Sequence, residues 1–406
     1  MKTKILLLLF ALLPLFTVAQ RKAIFIIADG IPADLIDTLP TPNLHAIAKE
    51  GALIKSHVGG ERGGYSQTPT ISAVGYNSLL TSTWLNKHNV WDNDIKAPNY
   101  NYWTLFRILK SKRPASKTAI FSTWLENRIR LVGDNIPETG NFKVDYHLDG
   151  LERDTVRFPH DDSSNYIHRI DEIVTDSAAK CIRKFAPDLT WVYLEFTDDM
   201  GHTYGNSPQF YDAIMTMDKQ VGRIWEAIKY RQKQFGEEWQ IFITTDHGRD
   251  AQTGKNHGGQ SDRERNTWMV TNAKDLNAYA SMNPGIVDIA PTILKFLKVA
   301  VPKEQAFEMD GVSLTGDLSL VNPTATVQDK KLTIRWKAMN PSGKTKIRLC
   351  LTNRFRTTGA DYYQLIGEVP VSDQQFEFDL SKLPATDFYK IVLEAPLNTV
   401  NRWVRP

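Results

Sequence analysis

The stretch Ala23-Ile24-Phe25-Ile26-Ile27-Ala28-Asp29-Gly30 decides the fold, because an unbroken apolar run passes directly into an acidic residue and a glycine. Apolar runs of this length are typical of a strand that is buried on both faces of a parallel sheet. Asp and Gly are favoured in the turn that leaves such a strand. The stretch therefore predicts an inner strand with a carboxylate at its carboxyl end.

Two later stretches, residues 191–196 and 240–245, repeat this pattern, and residues 119–122 form a weaker fourth strand. The stretches between them are helical in pattern, at residues 43–50, 166–185 and 208–230. This alternation predicts an α/β domain, a three-layer α/β/α sandwich with a largely parallel central sheet. In such sheets the chemistry lies beyond the carboxyl ends of the strands.

The pattern changes after about Gly316. Short alternating strands at residues 332–336, 346–351, 375–379 and 389–394 are separated by turn residues. They predict a small β-sandwich in the style of a fibronectin type III domain. We therefore expect a catalytic domain at residues 20–316 and a β-sandwich at residues 317–406, which would serve packing or contact a protein or glycan.

The amino terminus has the pattern of a secretory signal peptide. Lys2 and Lys4 precede an apolar run, residues 5–18, that is too short to span a bilayer easily. Cleavage near Ala19 would remove residues 1–19 and place the protein in the periplasm or outside the cell, whereas an uncleaved membrane anchor is the alternative. No later stretch is apolar enough for a transmembrane segment.

Composition narrows the class of protein. The 406 residues are 42% hydrophobic and 23% charged, which leaves room for a large core and a second domain. The formal net charge of +3 gives no electrostatic case for binding duplex nucleic acid. Cys181 and Cys350 lie in different predicted domains, so we expect free, buried thiols, and two cysteines exclude a Cys-based metal site.

Acidic and histidine residues cluster just after the predicted strands. Asp198 and His202 stand four apart, so one helical turn would place both on one side of a metal ion, with Asp199 as the competing ligand. The adjacent Asp246 and His247 can both turn toward one cation at a strand end. His257 lies in a glycine-flanked loop. Mixed Asp and His ligands without Cys favour zinc, with manganese or magnesium as weaker alternatives.

A hydroxyl nucleophile is available at the start of a helix. Residues 67–81 pass from a proline-containing loop into an apolar helix, and Thr70 or Ser72 would lie at its beginning. The free N–H groups and the dipole of a helix start favour a phosphate. A plain helix cap is the alternative reading of either residue.

In this order the motifs resemble those of the alkaline phosphatase superfamily, and within it the nucleotide pyrophosphatase/phosphodiesterase-like branch, over residues 21–301. The resemblance implies an alkaline phosphatase-like catalytic domain that holds two divalent metal ions. Matched residue by residue, it implies one metal site at Asp29, Asp246 and His247, and a second at Asp198, His202 and His257.

The resemblance favours Ser72 over Thr70 as nucleophile and metal-contacting hydroxyl. In several branches the nucleophile precedes a Thr-Gly-like pair by nine residues, and counting back nine from Thr81 reaches Ser72. Ser72-Ala-Val-Gly75 is also similar to the Ser-Glu-Val-Gly of cofactor-independent phosphoglycerate mutases. Sulfatases carry Pro and Arg after this position, and both are absent here. Nucleotide phosphodiesterases usually carry an Asn where Gly75 stands, with Asn77 as the nearest substitute.

These observations predict an exported two-metal phosphoric ester hydrolase that acts on a small-molecule phosphate ester. A phosphodiesterase or nucleotide pyrophosphatase with a phosphoseryl intermediate is the leading hypothesis. A phosphomonoesterase is the near alternative, and it would need extra cations around the phosphate, for which the sequence offers Arg62, Lys255, Arg263 and Arg265. A non-catalytic binding protein on a degenerate hydrolase scaffold and an envelope transferase are more distant alternatives.

Overall fold

A computed structural model describes residues 20–384 and 386–405 of the chain. The expected signal peptide, residues 1–19, lies outside the described residues. Within the described part of the chain, no helix has the length and apolar character needed to cross a membrane.

The central sheet contains the buried strands that the sequence predicts. Its strands are β1 (Arg21–Ala28), β2 (Ala52–His57), β3 (Thr118–Ser122), β4 (Tyr146–Leu148), β5 (Leu189–Leu194), β6 (Glu238–Thr244) and β7 (Asn266–Thr271). They lie in the order β2-β7-β6-β1-β5-β3-β4. Strand β7 runs antiparallel to both its neighbours, and the other pairs are parallel. The prediction of a largely parallel sheet is confirmed.

Helices cover both faces of this sheet. In chain order they are α1 (Ala33–Thr38), α2 (Pro42–Glu50), α3 (Ser72–Thr81), α4 (Leu85–His88), α5 (Leu105–Lys112), α6 (Asn165–Phe185), α7 (Phe196–Tyr204), α8 (Pro208–Phe235), α9 (Asp262–Arg265), α10 (Ile289–Phe296) and α11 (Lys303–Ala306). Side chains of β1 alternate between two hydrophobic clusters, one shared with α3, α5 and α10 and the other with α2, α6 and α8. This alternation produces the predicted three layers.

The carboxyl-terminal part forms two antiparallel sheets. Its strands are β8 (Leu320–Gln328), β9 (Lys331–Ala338), β10 (Lys344–Cys350), β11 (Gln364–Pro370), β12 (Gln375–Asp379), β13 (Tyr389–Glu394) and β14 (Thr399–Val404), with a short helix α12 (Phe355–Thr358). The orders are β11-β10-β13-β14 and β12-β9-β8. Ile334 of one sheet and Ile347 and Ile391 of the other belong to one buried cluster, so the sheets enclose a common core.

Buried charges connect these sheets to the α/β part. Lys390 of β13 is fully buried and forms ion pairs with Glu308 and Asp361. Lys87 of α4 is also fully buried, and its Nζ lies 2.8 Å from Asn401 Oδ1 of β14. Cys181 and Cys350 are free and buried, as predicted.

Candidate active site

The site lies at the carboxyl ends of three neighbouring parallel strands. Asp29 follows β1, Asp246 and His247 follow β6, and α7, which carries Asp198, follows β5. Strand β1 pairs in parallel with both β5 and β6, so the three strands end at the same edge of the sheet. Sheet order therefore brings together motifs that are far apart in the sequence.

The first group of potential metal ligands is Asp29, Asp246 and His247, whose ligand atoms lie within 4.8 Å of one another. His247 Nε2 lies 3.4 Å from Asp29 Oδ1 and 3.2 Å from Asp246 Oδ2. Both carboxylate oxygens are buried and have no hydrogen-bond partner within the described chain. Buried oxygens without a partner are costly, and two of them facing an imidazole nitrogen fit a divalent cation.

The electrostatics of this group also favour a bound cation. Burial, reinforced by the charge of Asp198, raises the pKa of Asp29 to about 7. Burial and the neighbouring Asp29 raise the pKa of Asp246 well above its usual range. Burial, followed by the proximity of His257, holds the pKa of His247 well below its usual range. The carboxylates therefore resist ionisation until a positive charge is supplied.

Two buried tyrosines orient Asp29. The hydroxyl of Tyr193 donates to Asp29 Oδ2 at 2.7 Å, and the hydroxyl of Tyr76 donates to the same oxygen. Tyr76 lies one turn after Ser72 on α3, and Tyr193 lies in β5. Because both donors use Oδ2, Oδ1 stays free to bind a metal. Sequence reasoning missed these tyrosines, since each looks like an ordinary core aromatic.

The second group contains Asp198, His202 and His257. His202 Nε2 lies 3.2 Å from Asp198 Oδ2 and 3.1 Å from His257 Nε2. Asp198 and His257 also form a potential ligand group with His247, whose ring stacks on that of His257 at a centroid distance of 3.7 Å. Asp199, the competing ligand in the sequence, is not a member of that ligand group. The described geometry thus places Asp198 in this group.

Backbone carbonyls fix which nitrogen two of the histidines present to the site. The Nδ1 atom of His257 lies 2.8 Å from the carbonyl oxygen of Thr70, and Nδ1 of His247 lies 3.0 Å from that of Gly248. A carbonyl only accepts, so each Nδ1 carries the proton and each Nε2 offers a lone pair. Such contacts are the usual means of orienting metal-binding histidines.

Asp198 is paired with a buried guanidinium. Burial opposes the ionisation of Asp198, but the charge of Arg249 and the hydrogen bond from His202 hold its pKa well below its usual range. Arg249 is fully buried and forms an ion pair with Asp198. Sequence reasoning missed Arg249, although it directly follows the Asp246-His247-Gly248 motif.

The two candidate hydroxyls occupy different positions. Ser72 is the first residue of α3, and its Oγ lies 3.3 Å from His247 Nε2. The Thr70 hydroxyl donates to the carbonyl of Gly259 at 3.0 Å and accepts from the N–H of Gly258 at 2.9 Å. Thr70 is therefore occupied in holding the loop that carries His257, whereas Ser72 faces the first ligand group.

The helix start explains one departure from the usual phosphodiesterase motif. A β-carbon at Gly75 would lie 2.9 Å from both Cβ and the carbonyl oxygen of Asp246, so α3 packs too closely for a larger residue there. Asn77 is buried in the same helix. Asn93 accepts a hydrogen bond from the backbone N–H of Ala73 at 3.0 Å, which places a different amide beside Ser72. The sequence reading overlooked Asn93.

Three of the basic residues considered for phosphate binding have other partners. Arg62 forms an exposed ion pair with Asp262. Arg263 binds Asp34, and it also donates to the carbonyl of Asp250. Arg265 donates to the carbonyls of the 59–60 loop. These contacts engage three of the four candidate cations, and the fourth, Lys255, is exposed two residues before His257.

Similarity to known proteins identifies the family of this chain. The sequence profile described as "Type I phosphodiesterase / nucleotide pyrophosphatase" matches residues 23–310. The 2,3-bisphosphoglycerate-independent phosphoglycerate mutase of Mycoplasma mycoides is 32% identical over 137 residues, which are 33% of this chain and 24% of the mutase. Human ectonucleotide pyrophosphatase/phosphodiesterase family member 5 is 26% identical over 234 residues, which are 56% of this chain and 45% of that protein.

The aligned region therefore spans less than half of either relative. The solved structure of human ectonucleotide pyrophosphatase/phosphodiesterase 5 matches with a TM-score of 0.47 and 14% identity, covering 69% of this chain and 96% of that one. Because the family profile covers more than half of the sequence, this chain belongs to the type I phosphodiesterase/nucleotide pyrophosphatase family.

Proposed function

We propose that this protein is an exported phosphoric ester hydrolase that uses two divalent metal ions, zinc by preference, and Ser72 as its nucleophile. The observation that carries the proposal is the position of Ser72 Oγ, 3.3 Å from His247 Nε2 at the start of a helix. Asp29, Asp246 and His247 would hold one ion, and Asp198, His202 and His257 the other. When bound, the ions would lower the pKa of the hydroxyl and neutralise charge on the phosphoryl oxygens.

Side chains and backbone groups of the protein position the reacting groups. Tyr76 and Tyr193 hold Asp29 with one oxygen free, and Thr70 holds the loop of His257. The dipole at the start of α3 favours a phosphate, and Asn93, which accepts from the N–H of Ala73, lies beside this helix start. Ser72 gives up its hydroxyl proton and its Oγ bonds to phosphorus as the ester bond on the opposite side breaks. The leaving oxygen takes up a proton and departs as the alcohol, and the remaining phosphoryl group stays bonded to Ser72. Water then cleaves that group and restores the hydroxyl.

We favour a diester or pyrophosphate over a monoester as substrate. A monoester carries more negative charge, and its hydrolysis would be helped by additional cations near the phosphate. Arg62, Arg263 and Arg265 all have other partners, as described above. A small-molecule substrate with a single charge on the reacting phosphoryl group therefore suits the site better. We propose that residues 317–406 form a separate domain with no part in the chemistry.

The test is turnover by the zinc-loaded protein of p-nitrophenyl phosphate, bis-p-nitrophenyl phosphate and a nucleotide ester. The proposal expects diester turnover to exceed monoester turnover. It also expects mass spectrometry to find a p-nitrophenylphosphoryl group on Ser72 after an acid quench of the reaction with bis-p-nitrophenyl phosphate. The opposite preference would identify a phosphomonoesterase. Zinc-replete protein that holds no metal and turns over none of the three would point to a binding protein instead.

A further inference from the structure

Arg249 connects three of the segments that carry the candidate metal ligands, namely helix α7 and two loops. Its Nε donates to the carbonyl of Gly30 at 2.9 Å, its Nη1 to that of Lys255 at 3.1 Å and its Nη2 to that of Asp198 at 2.7 Å. These residues lie next to Asp29, within the Asp198 motif and two residues before His257. One guanidinium thus contacts segments that are far apart in the sequence.

The surrounding chain leaves a space for this guanidinium. A β-carbon at Gly201 would overlap it, and one at Gly30 would lie 2.7 Å from Nη2 of Arg249. The side chain is fully buried. Burying a cation is costly unless it is paired and hydrogen-bonded, and here the guanidinium is paired with Asp198 and each of its three nitrogens has an acceptor. The absence of side chains at Gly30 and Gly201 therefore leaves the space that the Arg249 guanidinium occupies.

The ion pair also determines which oxygen of Asp198 is available. Arg249 binds Oδ1, while Oδ2 lies 3.2 Å from His202 Nε2 on the side of the second ligand group. We infer that Arg249 is a positioning residue that assembles the second metal site, by holding Asp198 with Oδ2 exposed and by tying α7 to the loop of His257. This inference rests on the proposed two-metal function.

Two roles for Arg249 predict opposite changes in metal affinity when the residue is replaced. A spectator charge lies near the site without orienting a ligand, whereas a positioning residue holds a ligand in place. A guanidinium beside the site repels a divalent cation, so loss of a spectator charge would tighten metal binding. Loss of a residue that orients ligands would weaken it, typically by about 10- to 100-fold. The direction of the change therefore separates the two roles.

The experiment is a zinc titration of the metal-free full chain in competition with a chromophoric chelator. Arg249→Met removes the charge, and Arg249→Lys keeps the charge but cannot make the four contacts. Arg231→Lys is the matched control, because Arg231 is a largely buried arginine that binds Glu237 and the carbonyl of Arg183 away from the site. Circular dichroism checks that each variant is folded.

We expect wild type and Arg231→Lys to bind two zinc ions. Both Arg249 variants should bind the second ion about 10- to 100-fold more weakly and the first within about threefold, since the two tyrosines hold Asp29 independently. If Arg249→Met fails to fold, Arg249→Lys decides alone. An unchanged or tighter second site in Arg249→Lys overturns the inference but leaves the proposed function intact. Wild-type protein that binds no zinc overturns both.

Discussion

Gly75 of α3 lies so close to Asp246 that a β-carbon at position 75 would stand 2.9 Å from Cβ of Asp246. We expect Gly75→Ala to destabilise the protein by about 1–3 kcal/mol through overpacking and to reduce bound zinc by displacing Asp246. Chemical unfolding and metal analysis measure both effects. In the control Gly63→Ala the added carbon has no atom within 4 Å, so only strain from the positive φ should appear and zinc should be unaffected. Full zinc content in Gly75→Ala would contradict this reasoning.

The proposed nucleophile makes a direct prediction about hydroxyl removal. Ser72→Ala should lower diester turnover by about 10³-fold or more with zinc content unchanged, because the attacking atom is lost. Turnover of bis-p-nitrophenyl phosphate measures this. If Ser72→Ala is as active as wild type, Ser72 is not the nucleophile.

Thr70 should behave differently from Ser72. Thr70→Val loses the hydroxyl contacts to Gly258 and Gly259, so the loop of His257 should loosen. We expect about a tenfold weaker affinity for zinc, with turnover largely recovered at saturating zinc. A metal titration followed by the same assay checks both statements. Turnover that stays low at saturating zinc would assign Thr70 a part in the chemistry.

The buried ion pairs of Lys390 predict a large stability effect. Lys390→Met would leave Glu308 and Asp361 without their buried cation, which should cost about 3–5 kcal/mol of unfolding free energy. The control is Lys331→Met, because Lys331 and Glu377 form an exposed pair, and we expect less than about 1 kcal/mol there. Urea denaturation compares the two. Equal losses of unfolding free energy in the two variants would show that burial of an ion pair has little influence on its contribution to stability.

Asp288 predicts a specific pH dependence of stability. Burial raises its pKa to about 7, against the hydrogen bonds from the N–H groups of Val312 and Gly285. The unfolded chain loses this proton near about pH 4, so between there and about pH 7 the folded state holds more protons. Stability should therefore fall as pH rises through this window, by up to about 1.4 kcal/mol per pH unit, and level off above it.

Asp288→Asn should lack this contribution, since the amide does not titrate. Unfolding free energies of wild type and variant, measured from about pH 5 to about pH 8, give the difference in slope. Because the slope is compared, a constant cost of the substitution does not affect the result. If the unfolding free energies of wild type and Asp288→Asn change in parallel with pH, the raised pKa of Asp288 is refuted.

The sequence alone predicted the buried strands and the residues that follow them. Apolar runs such as residues 23–28 are local signals, and their carboxyl ends meet at one sheet edge in any parallel α/β fold. Asp29, Asp246 and Asp198 could therefore be proposed for one site before their contacts were known. The edge strand β2 and the antiparallel β7 escaped prediction, because their pairing depends on partners distant in the chain.

Only the tertiary structure decided how these residues are held. The order β6-β1-β5 determines which loops touch, and no local pattern encodes that order. Tyr76, Tyr193 and Arg249 read as ordinary core or loop residues until the fold shows them against Asp29 and Asp198. The physical reason is that strand formation and turn chemistry depend on adjacent residues, whereas the orientation of a ligand depends on side chains brought beside it by packing.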